Sequence, residues 1–199
     1  MSLEVGITGG IGAGKTLIAN IFRTFGIPIY NSDEEAKRLM NEDEELKGKI
    51  IDLFGNESYA KGVLNRTYLT NIVFKDQDNL SRLNAIVHPA VYNDYNKWLT
   101  NHEAFPITIK EAALLFESGS YKDLDYTIMV SAPRPTRIRR VLLRDTNRTK
   151  ENIEEIIDKQ MSDSAKKKLS DFNIINDGKR MVIPQVLEIY QKLLNVLQK

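Results

Sequence analysis

Gly9-Gly10-Ile11-Gly12-Ala13-Gly14-Lys15-Thr16 joins a glycine-rich turn to a lysine and a hydroxyl. That combination suits a polyphosphate. Glycines let several backbone N–H groups converge on anionic oxygens, and the first turn of a following helix adds its positive dipole end. In this arrangement Lys15 reaches the β- and γ-phosphates as a mobile cation, and the Thr16 hydroxyl ligates Mg2+. Gly10, Ile11, Gly12, Ala13 and Gly14 line the phosphate site, and Leu17 contributes only a backbone amide. The chemistry needs a strand before the loop and a helix after it. The apolar run Leu3 to Thr8 and the helical pattern of Leu17 to Phe25 meet both needs. A phosphate loop says that a nucleotide binds, so the reaction has to be read from the rest of the chain.

The elements that follow read as alternating strand and helix. Gly26 stops the first helix, and Ile27 to Tyr30 is a short buried strand. Ser32 and Glu35 have the spacing of a capping box, which starts a helix and places Asp33 in its first turn, just past the C-terminal end of a strand. Open α/β sheets bind ligands at that edge, although acids favour helix N-termini on their own account. From Glu44 to His102 the pattern is helical, with turns expected at Gly55-Asn56, Ala60-Lys61-Gly62 and His88-Pro89. This is far too long for a simple crossover, so it reads as a helical insertion, a natural place for an acceptor substrate. Within it Arg66 begins a helix and His88 precedes Pro89, and residue type alone selects neither.

Phe105 to Ile109 reads as a third strand, followed by two acids, Glu111 and Glu117, around an apolar patch. Tyr126 to Val130 is a fourth, near-continuously apolar as buried parallel strands are. Arg137, Arg140 and Arg144 then fall on one face of a basic helix, whose guanidinium groups suit phosphate oxygens. A helix ending near Gln160 and a short one carrying Lys166-Lys167-Lys168 read as a lid. Phe172 to Ile175 is the last strand, Asn176-Asp177-Gly178 a turn, and Met181 to Leu197 an amphipathic helix.

At 199 residues, 42% hydrophobic and 28% charged, the chain can bury a full core. A net charge of +1 argues against a nucleic-acid binder held by bulk electrostatics, and the absence of cysteine excludes disulfides and cysteine-ligated metal. Neither a leader pattern nor a membrane span is evident, so the expected location is cytoplasmic, with no membrane, nucleic acid or obligate protein partner. A GTPase switch fits poorly: Asn96-Lys97-Trp98-Leu99 lacks the acid of a guanine reader, and Asp52-Leu53-Phe54-Gly55 lies at a helix end. A mechanical ATPase would carry a strand ending in paired acids and a second large domain. A small-molecule kinase needs a phosphate loop, a proton-accepting acid, an acceptor subdomain and an arginine lid, and candidates for all of these are present.

With the phosphate loop, Ser32-Asp33, Leu64-Asn65-Arg66, His88-Pro89, Leu114-Leu115-Phe116-Glu117, Arg140 to Arg144-Asp145, Gln160 and Asn176-Asp177-Gly178 in this order, the chain resembles the dephospho-CoA kinases from end to end. The resemblance implies ATP-dependent phosphorylation of the ribose 3′-hydroxyl of dephospho-CoA, the last step of coenzyme A synthesis, with Mg2+. It also implies roles: Asp33 as the carboxylate on the acceptor hydroxyl, Lys15 and Arg140 on the transferring phosphoryl group, and Arg144 closing on the phosphates. Arg66, His88 and Glu117 would face the acceptor, and Asn176 to Gly178 the adenine. The implied fold is an α/β phosphate-loop kinase with about five parallel strands flanked by helices. Residues 1–34, 103–143 and 171–199 would form the nucleotide core, 35–102 the acceptor domain and 144–170 the lid. Three positions depart from the family's pattern: Asn31 stands for an Asp, Ala113 for a Pro and Lys150 for an Arg. Another nucleoside or nucleotide kinase, or a non-catalytic nucleotide-binding regulator, are the alternative readings.

Overall fold

The computed structural model describes residues 2–73 and 76–198, and its contacts divide the chain into two units, Met1–Asn31 with His102–Lys199, and Ser32–Asn101. The first unit is built on a parallel sheet. Strands β1 (Leu3–Thr8), β2 (Ile29–Asn31), β5 (Ile107–Glu111), β6 (Tyr126–Ser131) and β7 (Phe172–Ile175) lie in the order β2-β5-β1-β6-β7. Val5 is in register with Ile109 on one side and Tyr126 on the other, so β1, which leads into the glycine loop, is central. One face packs Val5, Ile7, Ile109, Ile128, Val130 and Ile174 against α1 (Lys15–Arg23) and α9 (Val182–Leu197) through Ile18, Phe22, Val186, Ile189 and Leu193. Each such side chain contributes roughly 1.5–3 kcal/mol on burial. The other face is close-packed too: a Cβ on Gly6 would lie 2.6 Å from Leu115 and 2.7 Å from Leu124.

The third strand begins two residues later than its apolar run suggests, because Pro106 has no N–H for the ladder; its carbonyl instead accepts Leu3 N–H at 2.9 Å. Helices α6 (Arg134–Arg144), α7 (Lys150–Lys159) and α8 (Asp163–Leu169) follow β6. Thr149 caps α7 through a reciprocal pair with Asn152, and Ser162 caps α8 by accepting Ala165 N–H. The segment expected as a lid thus consists of two capped helices, and by contacts it groups with the sheet unit.

The second unit is helical apart from one small hairpin. Helices α2 (Ser32–Glu42), α3 (Glu44–Phe54), α4 (Arg66–Val73) and α5 (Gln77–Thr100) enclose Leu39, Leu46, Ile50, Phe54, Leu64, Leu69, Val73, Leu83 and Val87. Strands β3 (Tyr59–Ala60) and β4 (Val63–Leu64) are joined through Lys61 and Gly62, both at positive φ. The unit begins at Ser32 and ends at Asn101.

Two expectations need correction here. His88-Pro89 is no turn; Pro89 lies inside the 24-residue helix α5. Proline removes one helical hydrogen bond, but apolar residues on both sides of it, Leu83, Val87, Ala90 and Val91, pack into one cluster that keeps the helix continuous. The Ser32–Glu35 capping box does not form either. Helix α2 starts directly from β2 with Ser32 already its first residue, and the buried Ser32 hydroxyl has no hydrogen-bond partner among the described residues.

Candidate active site

The phosphate loop connects β1 to α1, and Gly14 at its end adopts φ 97°, a left-handed conformation that any side chain would strain. A Cβ there would also meet Asn176 Nδ2 at 2.3 Å. Among the described residues no side-chain hydrogen bond caps α1 at Gly14 and no acid lies in its first turn, so its leading amides keep their positive end for an anion. Lys15 Nζ donates to Gly9 O at 3.1 Å, and Leu17 is exposed on the first turn of α1.

Behind the loop stands an acid. Thr16 Oγ1 donates to Glu111 Oε1 at 2.6 Å, and Asn31 Nδ2 reaches Glu111 Oε2 at 3.4 Å. Glu111 closes β5 and is buried, so the ends of three elements, β2, β5 and α1, meet at one carboxylate. Of the two acids that flank the apolar patch, it is Glu111 that Thr16 bonds.

The arginines of α6 do not share one fate. Arg137 is buried with its guanidinium against the loop: Nε donates to Ile11 O at 2.9 Å and Nη1 to Asp163 at 3.0 Å. A Cβ on Gly10 would lie 2.0 Å from Arg137 Nη2, so a side chain there would displace the guanidinium. Arg140 is half-buried and turns to the Asn176 turn, donating to Asn176 O at 3.0 Å and Oδ1 at 3.2 Å. Asn176 Nδ2 in turn donates to Ala13 O at 2.9 Å, so Arg140 supports the loop through Asn176. Arg144 is exposed at the end of α6. The expected common phosphate face therefore divides. Helical spacing placed Arg137 correctly on the helix but could not show that Gly10 lies opposite it.

Asp177 accepts the N–H groups of Lys179 and Arg180, both at 2.8 Å. The Arg180 amide above all, then that of Lys179, holds its carboxyl below the usual range. Gly178 sits at φ 82° within this turn. Glu117 Oε1 accepts Lys166 Nζ at 2.8 Å and Met161 N–H at 3.0 Å, and Gln160 Oε1 accepts Ile11 N–H at 3.0 Å. These contacts join residues more than forty positions apart, which no local pattern signals.

In the helical unit, Asp33 is exposed in the first turn of α2, two residues past the end of β2. Arg66 is exposed at the first position of α4, after Asn65 Oδ1 accepts Tyr68 N–H. His88 is exposed on α5, yet partial desolvation by its neighbours lowers its pKa below the ordinary value.

The sequence profile of a family described as dephospho-CoA kinase matches residues 3–181. A protein named dephospho-CoA kinase from Bacteroides fragilis (strain YCH46) is 39% identical over 197 residues, covering 97% of this chain and 96% of that protein. Among solved structures, TT1252 from Thermus thermophilus superposes with a TM-score of 0.83 at 32% identity, covering 96% of this chain and 97% of the other. The dephospho-CoA kinase from Campylobacter jejuni has a TM-score of 0.70 over 97% of this chain and 98% of its own, and at 23% identity it shows the shared fold.

Proposed function

This chain belongs to the dephospho-CoA kinase family, and from that premise we propose how its residues move the γ-phosphoryl group of ATP to the ribose 3′-hydroxyl of dephospho-CoA, releasing ADP and coenzyme A. The observation that carries the reading is a family match spanning nearly the whole chain, joined to a phosphate loop whose Thr16 is bonded to a buried acid. The sheet unit takes ATP: Gly10 to Thr16 and Leu17 surround the phosphates, Lys15 stabilises the transferring charge, and the Asn176 to Gly178 turn faces adenine. The Ser32–Asn101 unit takes the acceptor, with Arg66 and His88 contributing to its binding from that unit and Glu117 from the loop after β5.

Phosphoryl transfer gains little from covalent catalysis, so alignment and charge stabilisation dominate. Asp33 orients the 3′-hydroxyl and accepts its proton as the new P–O bond forms and the bond to the ADP oxygen breaks. Arg140 serves by holding Asn176 against Ala13, and by approaching the phosphates when nucleotide is bound. The arginine-bearing segment 144–170 excludes water as a competing acceptor.

Thr16 and Glu111 suit Mg2+: a hydroxyl backed by a carboxylate is a hard-oxygen set, and a metal shared with phosphates and water needs no protein cage. Among the described residues there is no group of three or more His, Cys, Asp or Glu that could hold a metal alone. The Thr16 hydroxyl, backed by Glu111, would hold Mg2+ arriving with ATP, and the ion would supply positive charge to offset that of the phosphates. Dephospho-CoA and ATP are the partners the reading requires, and the cytoplasm is its location; no helix among the described residues is long and apolar enough to cross a membrane.

A coupled ADP-release assay tests this, with dephospho-CoA set against a panel of nucleosides and nucleotides. Dephospho-CoA should be the preferred acceptor. ADP release that followed a nucleoside, or proceeded equally without acceptor, would sink the proposal.

A further inference from the structure

The connector between α7 and α8 touches two functional segments at once. Gln160 ends α7 and takes the Ile11 N–H of the phosphate loop on its side-chain oxygen, at 3.0 Å. The N–H of the next residue, Met161, donates to Glu117 Oε1 at 3.0 Å. Lys166 of α8 donates to the same oxygen at 2.8 Å and to Ala113 O at 3.2 Å. A second arm returns to the loop: Asp163 accepts Arg137 Nη1 at 3.0 Å, and Arg137 Nε holds Ile11 O at 2.9 Å. Both backbone polar groups of Ile11 are therefore held by the stretch from α6 to α8.

Lys166 is the informative residue. Its side chain has no exposed surface, while that of Glu117 remains 22% exposed. Burying an ammonium costs free energy that an apolar side chain of similar length would avoid, so packing alone does not account for lysine here. A charge-assisted bond does what packing cannot, which is to fix the direction of a carboxylate. Met161 and Lys166 both bond Oε1, so Glu117 is oriented by two donors from a segment whose other attachment is the phosphate loop.

We infer that Gln160, Met161 and Lys166 form a positioning strut that sets the Glu117 carboxylate relative to the phosphate loop, making nucleotide binding and acceptor binding energetically coupled. The inference rests on the reading above in which Glu117 faces the acceptor. Coupling of this kind is reciprocal: what ATP does for dephospho-CoA, dephospho-CoA does for ATP.

The test measures dephospho-CoA affinity by calorimetry on the full chain, with and without a non-hydrolysable ATP analogue and Mg2+, alongside steady-state kinetics. In the wild type the analogue should tighten dephospho-CoA binding by at least about fivefold. Gln160→Met removes the acceptor for Ile11 N–H at similar volume, and Lys166→Met removes the buried donor. Each should reduce the coupling to below about twofold and, because the coupling is reciprocal, raise the KM for dephospho-CoA and the KM for ATP together by about threefold or more, with the affinity for ATP alone within about twofold. Lys166→Arg, which keeps the cation, should restore most of the coupling. If Lys166→Met does not fold, Gln160→Met decides, since Gln160 lies in a partly exposed connector. Coupling absent in the wild type, or unchanged in a folded Gln160→Met, overturns the strut. Glu117→Gln separates the two ideas: an unchanged KM for dephospho-CoA removes the acceptor role of Glu117 and the strut with it, whereas a raised KM beside unchanged coupling in Gln160→Met removes the strut alone.

Discussion

The Thr16 hydroxyl donates to Glu111 Oε1 at 2.6 Å, tying the start of α1 to the end of β5. Its proton is committed to the carboxylate, which leaves the oxygen lone pairs facing elsewhere for a metal. Glu111→Gln keeps an accepting oxygen but loses the charge. The free Mg2+ needed for half-maximal rate should rise about tenfold, in the range seen when an outer partner of a metal ligand is changed. A Mg2+ titration at saturating ATP, with Mn2+ binding to the ADP complex as an independent readout, checks this; an unaltered requirement removes Glu111 from the metal's surroundings.

Asp33 is exposed at the head of α2, where it makes little contribution to the apolar core. Asp33→Asn should lower kcat by about 10²–10⁴ while leaving ATP affinity largely intact, the pattern of a lost general base. Turnover near the wild-type level would exclude that role.

Gly10 faces the Arg137 guanidinium, and a Cβ there would fall 2.0 Å from Nη2 and push that group aside. Gly10→Ala should cost about 1–3 kcal/mol of stability, the usual range for overpacking, because Arg137 is held by Ile11 and Asp163 and cannot step aside without losing them. In the double variant with Arg137→Ala the cost should be less than the sum of the single costs, as for residues in direct contact. Urea unfolding of the four proteins measures it, and strict additivity would contradict the contact.

His88 carries a pKa lowered from 6.5 by desolvation. Since the unfolded chain then binds the proton more readily than the folded one, the favourable contribution is present above pH 6.5 and lost as pH falls through the folded value. His88→Gln should flatten the decline of thermal stability on acidification from pH 6.5, before most carboxylates titrate. The effect is small because the ring keeps contact with water. Parallel decline in both proteins would show that His88 is not its source.

Periodicity and glycine spacing are local properties, and what rests on them was legible: the loop and its flanking elements, β7 and its turn, the apolar faces of α2 and α9, and the long helical insertion. Arg137 was legible as a member of a basic helix, but its burial against Gly10 depends on a partner more than a hundred residues away. The same holds for Gln160 on Ile11 and for Lys166 on Glu117. Ser32 and Pro89 were misread for a related reason. Direct continuation from β2 overrode a local cap, and shared core packing on both sides overrode a local breaker.

Lys166 also makes the protein its own clock. An amine with no exposed surface can be acylated by a water-borne reagent only from conformations in which α8 has lifted, whereas Lys49, 52% exposed, reacts at all times. The ratio of the two labelling rates, read by mass spectrometry, reports how often that helix opens. ATP bound against the loop should slow Lys166 and leave Lys49 alone.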